Sequence, residues 1–171
     1  MSRIALTEGD FRRKALRRQY VPIGSVLLAA MLALLPIVAT APLIPDIAFL
    51  LLLAWRLLRP EVWPATAAIP LGLFNDLVAG HPIGQSMMLW TMVMLAFDFA
   101  DSRSLYRDYW MDWFFAALAI IGYVLGGWAV AAYMGSAAPV TTMLPIAAAS
   151  VLAFPLAAQL ALALDRWRLT R

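Results

Sequence analysis

Cysteine is absent from the chain, charge is scarce, and histidine occurs once. Without cysteine there can be neither a disulfide framework nor a thiolate metal site. A single histidine leaves no imidazole pair to hold a metal, and no metal or cofactor is expected. Charged residues make up 13% of the sequence, against about a quarter in a soluble domain. Also missing are a GxSxG elbow, a glycine-rich phosphate loop followed by Lys and Ser or Thr, and any nucleophile beside an evident base. An enzyme is therefore not expected. There is no internal repeat, low-complexity linker or long polar segment. The longest expected loop is "DSRSLYRD", Asp101 to Asp108, so any activity belongs to the bilayer or its faces.

Apolar residues fill the space these absences leave, at 64% of 171 residues and a mean hydropathy of +0.81. No charged residue occurs from Trp113 to Leu164, a stretch long enough for two spans of about 20 residues and a turn. The sequence predicts an all-α integral membrane protein, a bundle of six transmembrane helices joined by short loops. Residues 1–20 form a basic juxtamembrane head, with a short amphipathic surface helix after the capping-box-like Thr7 and Asp10. Residues 21–165 form the membrane domain and 166–171 a basic tail. The expected spans are Val21 to Thr40, Leu43 to Leu58, Val62 to Ala79, Gly84 to Ala100, Trp110 to Met134 and Val140 to Leu164. "ATAP" at the end of the first span resembles a signal-peptidase site. The long apolar run before it and Pro42 within it argue that it is not cleaved.

The loop cations test this count independently. The head carries Arg3, Arg12, Arg13, Lys14, Arg17 and Arg18. Arg56 and Arg59 follow span two, Arg103 and Arg107 follow span four, and Arg166, Arg168 and Arg171 form the tail. The connections near Ala41, His81 and Ser136 have no Lys or Arg. This alternation fits six spans with both termini in the cytoplasm by the positive-inside rule. It also explains the net charge of +3 without nucleic acid. Span two is the weakest by hydropathy, because Asp46 and Arg56 intrude on it. It is consistent if Asp46 lies at the outer interface and Arg56 snorkels at the inner one.

Close helix approach in lipid favours small residues, and three stripes offer them. Ala68, Gly72, Asp76 and Gly80 share a face of span three. Ala119, Gly122, Gly126 and Ala129 share one of span five, and Ala149, Ala153, Ala157 and Ala161 one of span six. The Gly122 and Gly126 pair suits internal packing, with self-association of two chains as the alternative. Asp76 lies on its stripe about 6 Å of helix rise from Gly80, so it should point into the bundle just inside the outer interface. Asp46 and His81 should lie at similar depth, forming one outer polar cluster with it. Asp46 also fits the simpler role of a helix-start acid, and His81 that of a turn residue. Asp76 suits either an internal hydrogen-bonding strut or a docking group. Met87, Met88, Met92 and Met94 read as packing, and the basic head as a topology determinant that binds anionic lipid headgroups, with a dedicated cytoplasmic partner as the alternative.

Two stretches resemble the bacterial rod-shape-determining MreD family. "IPDIAFLLLLAWRLLRP" (Ile44 to Pro60) is similar to that family's Pro-Asp start, apolar run, Trp and basic-Pro finish. "GLFNDLVAGHPIGQS" (Gly72 to Ser86) is similar to its Asp-containing, glycine-rich turn. Carried over, Pro45, Asp46, Trp55 and Pro60 match the first motif, and Gly72, Asp76, Gly80, Pro82 and Gly84 the second, either as partner-binding or as structural residues. The resemblance implies a non-enzymatic inner-membrane component of the cell-elongation machinery. Such a component binds MreC and helps couple MreB filaments to the RodA glycosyltransferase and its partner transpeptidase. An alternative from another class is a substrate-capture subunit of a vitamin or small-molecule transporter, against which the very short outer loops argue.

Overall fold

A computed structural model describes residues 8–34, 44–102, 109–136 and 138–169, with side chains from Tyr20 onward except at 62 and 109. The "ATAP" segment, most of the Asp101 to Asp108 loop, and Arg3, Arg103, Arg107 and Arg171 lie outside the described residues. So do the side chains of Arg12, Arg13, Lys14, Arg17 and Arg18. The described residues form six α-helices and no strand: α1 Glu8–Met31, α2 Ile47–Leu58, α3 Ala68–Ala79, α4 Gln85–Asp101, α5 Tyr109–Tyr133 and α6 Met143–Leu169. Segments Trp110–Tyr133 and Val140–Leu169 are each long and apolar enough to cross a membrane alone.

Helix α1 runs unbroken through residue 20, where the sequence suggests a surface helix followed by a separate span. Pro22 lies inside it, and Ser25 Oγ donates to the Pro22 carbonyl at 2.7 Å. Span three also differs from expectation. Residues Pro60–Val62 and Ala65–Ala67 form short 3-10 turns, and α3 starts only at Ala68. Pro60 and Pro64 account for this, since a residue before proline is pushed out of the α region. Pro70 falls in the first turn of α3, where its missing N–H costs little.

The shortest expected span proves to be the hub. Helix α2 has 12 residues, about 18 Å of rise against a hydrocarbon core of about 30 Å. Ala48 through Arg56 are all buried, with α1, α5 and α6 packed around them. A helix wrapped by protein on every side has no lipid-facing face to keep apolar, and polar or irregular backbone at its ends is tolerated where protein covers it. Phe49 stacks on Tyr123 of α5 with centroids 4.2 Å apart and tilts against Trp90 of α4 at 5.9 Å. Trp55 donates its indole N–H to Ser25 Oγ of α1 at 2.9 Å, and the Arg168 guanidinium of α6 lies 5.1 Å over its ring. Those two aromatics tie the hub to four other helices.

The small-residue stripes have unequal roles. A Cβ on Gly72 would lie 2.6 Å from the Met87 backbone, so α3 and α4 are in backbone contact there. Gly126 faces the Leu89 side chain of α4, which a Cβ would meet at 2.5 Å. Gly122 is exposed, and a Cβ there would meet nothing within 4 Å. The expectation that Gly122 marks a close helix contact within the bundle is therefore corrected, because its face of α5 turns toward the open groove beside α4. On α6, Ala157 and Ala161 are buried while Ala149 and Ala153 are half-buried, as is Ala119 on α5.

Candidate functional site

Polar side chains gather in two layers, one at each end of α2. The layer at its N-terminal end starts from Asp46, the residue that caps the helix. Its Oδ1 accepts the Phe49 N–H at 3.1 Å, satisfying one of the first-turn amides that no helix can pair internally. Its Oδ2 accepts from Asn75 Nδ2 at 3.0 Å and from the Tyr123 hydroxyl at 2.6 Å. The carboxylate therefore joins α2, α3 and α5.

Asp76 serves the neighbouring junction. Helix α3 ends at Gly80, whose φ of +71° is a left-handed conformation favouring glycine, and α4 starts after Gly84 at φ +95°. Between them His81, Pro82 and Ile83 make the turn, with the His81 N–H bonded to the Asp76 carbonyl at 3.1 Å. Gly84 stands at the N-cap of α4 and has no side chain to offer its amides. Asp76 supplies the missing acceptor from eight residues upstream. Its Oδ2 accepts the Gly84 N–H at 2.9 Å and the Met87 N–H at 3.5 Å, and its Oδ1 accepts the Ser86 N–H at 2.8 Å. The Asp76 side chain is fully buried, and a carboxylate at a helix N-terminus is stabilised by the aligned peptide dipoles and by charge-assisted bonds. That is why a chain this apolar keeps an acid there.

Ser86 connects the two acids. Its Oγ accepts from Asn75 Nδ2 at 3.3 Å and lies 3.3 Å from His81 Nδ1 and 3.5 Å from the Tyr123 hydroxyl. His81 Nδ1 is 3.9 Å from Asp76 Oδ1. Asp46, Asp76 and His81 thus sit together as the sequence suggests. Asn75, Ser86 and Tyr123 complete the cluster, and no spacing in the sequence marks them as its members. The sequence does carry a signal for two of them: Asn75 is a second polar residue inside the same apolar run, and Tyr123 places a hydroxyl in mid-span.

The other layer lies at the C-terminal ends of α2, α4 and α6. Arg56 is 2% exposed, and its Nη2 bonds Asp98 at 2.7 Å and Asp101 at 2.8 Å. Two acids one turn apart on α4 hold the guanidinium within the bundle, where the sequence alone suggests a snorkelling side chain. Asp165 receives Arg59 at 2.9 Å and Arg168 at 2.6 Å. The Asp165 hydrogen bond and charge raise the pKa of Arg59.

Of the remaining motif residues, Trp55 is buried near this layer and Pro60 starts the 3-10 turn beside it, whereas Pro45 and Pro82 flank the Asp46 and Asp76 cluster. Among the described residues, no group of three His, Cys, Asp or Glu side chains converges as a metal site. In both layers the charged groups bond within the bundle, an arrangement that fixes helices against one another.

A family model described as rod shape-determining protein MreD matches residues 16–162. No curated protein and no solved structure matches the chain.

Proposed function

The chain belongs to the MreD family of rod shape-determining proteins, and from this we propose that it is a multi-pass inner-membrane component of the cell-elongation complex. In this reading it binds MreC and helps couple MreB filaments to peptidoglycan synthesis by RodA and its partner transpeptidase. It does so as a scaffold and not as an enzyme. The observation that carries the proposal is the family match across residues 16–162.

Six crossings with both termini in the cytoplasm are part of the proposal. The end of the bundle that gathers Arg56, Arg59 and Arg168 would be cytoplasmic, and the end with Asp46 and Asp76, which lacks Lys and Arg, periplasmic. Alternating loop cations support this orientation. A C-terminal phosphatase fusion that is active in the periplasm would contradict it.

The partner assignment is tested by affinity purification of the chain from its native membranes in mild detergent. MreC should co-purify, at a yield that scales with the amount of folded protein. Recovery of the chain without MreC, from membranes in which MreC is present, would overturn the assignment.

A further inference from the structure

We propose that the outer end of the bundle holds a binding site for a small organic cation, a protonated aryl or alkyl amine. A cavity of about 520 Å³ opens there, lined by residues from every part of the bundle, from Ala33 after α1 to Ser150 of α6. That volume falls within the usual range of small-molecule sites, roughly 300 to 1,000 Å³, which are mostly apolar with a few convergent polar groups. Asp46, His81, Gln85, Tyr123, Trp128 and Ser150 supply those groups among otherwise apolar walls.

The sign of the ligand follows from charge. The described lining residues all fall between positions 33 and 50, 79 and 85, or 120 and 150. No Lys or Arg occurs between Arg18 and Arg56, between Arg59 and Arg103, or between Arg107 and Arg166. Asp46 is half-buried and lines the cavity. An ionised carboxylate offers about four acceptor positions, and three are taken by Phe49, Asn75 and Tyr123. Phe49, Tyr123 and Trp128 also line the cavity. An acid with a free acceptor position among largely apolar walls, with no Lys or Arg among the described lining residues, is complementary to an ammonium group carrying an apolar body. An anion would meet repulsion and no counter-charge. Placing the site at the outer end rests on the topology proposed above, whereas the cavity and its lining do not.

Equilibrium dialysis against the full chain in nanodiscs, with empty nanodiscs as the blank, tests this using phenethylamine, its neutral isostere 2-phenylethanol and the anion phenylacetate. The amine should bind saturably at one per chain and about tenfold or more tighter than the alcohol, the ratio expected for one charge-assisted bond. Phenylacetate should not bind. Asp46→Asn should bring the amine and the alcohol to the same affinity. Because Asp46 also caps α2, a second variant is needed that leaves the cap intact. Gly127→Leu projects into the cavity, where a Cβ meets only the end of the Gln85 side chain, and it should abolish amine binding at unchanged helicity. Equal binding of the amine and the alcohol to the native chain would show non-specific apolar partition and overturn the proposal. Amine binding that survives Gly127→Leu undiminished would place the ligand elsewhere and overturn it as well.

Discussion

Asp76 does for α4 what its N-cap glycine has no atoms to do, and the bonds are specific to a carboxylate with both oxygens free to accept. Asp76→Asn replaces one acceptor by an amide donor facing backbone N–H groups. The loss of a charge-assisted bond in a buried site costs about 1.5 to 3 kcal/mol. The expected outcome is a lower thermal midpoint and a lower folded yield in detergent, with MreC recovery per folded molecule unchanged. Reduced MreC recovery at normal stability would make Asp76 a docking group instead. Glycines separate the same way. Gly72→Ala drives a Cβ into the Met87 backbone, which cannot rotate aside, and overpacking of this kind costs about 1 to 3 kcal/mol. Gly122→Ala meets open space and adds helix propensity of up to about 1 kcal/mol, so it should leave the thermal midpoint level or raised. Four-residue spacing flags both glycines equally, and only the neighbour across the interface distinguishes them.

At the scale of elements, the short central helix decides what the sequence could reveal. Turn signals and the apolar lengths of α4, α5 and α6 are legible, since glycine, proline and charge mark their ends. The centrality of α2 is not, because a continuous apolar run looks the same whether lipid or protein surrounds it. Nor is the partner of Arg56 legible: Asp98 lies 42 positions away on another helix, and hydropathy alone places a lone arginine at an interface. The pairing predicts an asymmetry. Removing one member of a buried ion pair costs about 3 to 5 kcal/mol when it strands a buried charge. Replacing Asp98 and Asp101 together by Asn strands Arg56, which is 2% exposed, and should approach that cost. Arg56→Met leaves behind Asp98 and Asp101, whose side chains are 47% and 26% exposed and can be hydrated, so it should cost distinctly less. Thermal unfolding of the two variants in the same detergent measures the difference, and equal losses would mean that Arg56 is not buried as described.

For the whole molecule, two polar layers at opposite ends of one bundle bond its helices to one another. Asp46 and Arg56 lie ten residues apart on α2, about 15 Å of rise, and the layers they anchor tie α2 to α3, α4, α5 and α6. A body held in this way suits a scaffold that keeps several partners in fixed register across the membrane. The segment from Ile44 to Pro60 bonds to every other helix, through Trp55 to Ser25, Arg56 to Asp98 and Asp101, Arg59 to Asp165 and Asp46 to Asn75 and Tyr123, so the residues that carry the family resemblance there are also ones that join the bundle. The most direct test of the account is cell width during depletion of this chain in its native host, followed by microscopy with and without a plasmid-borne copy. The account predicts that depleted cells widen and round while the plasmid-borne copy restores rods. Rods of unchanged width after complete depletion would contradict it.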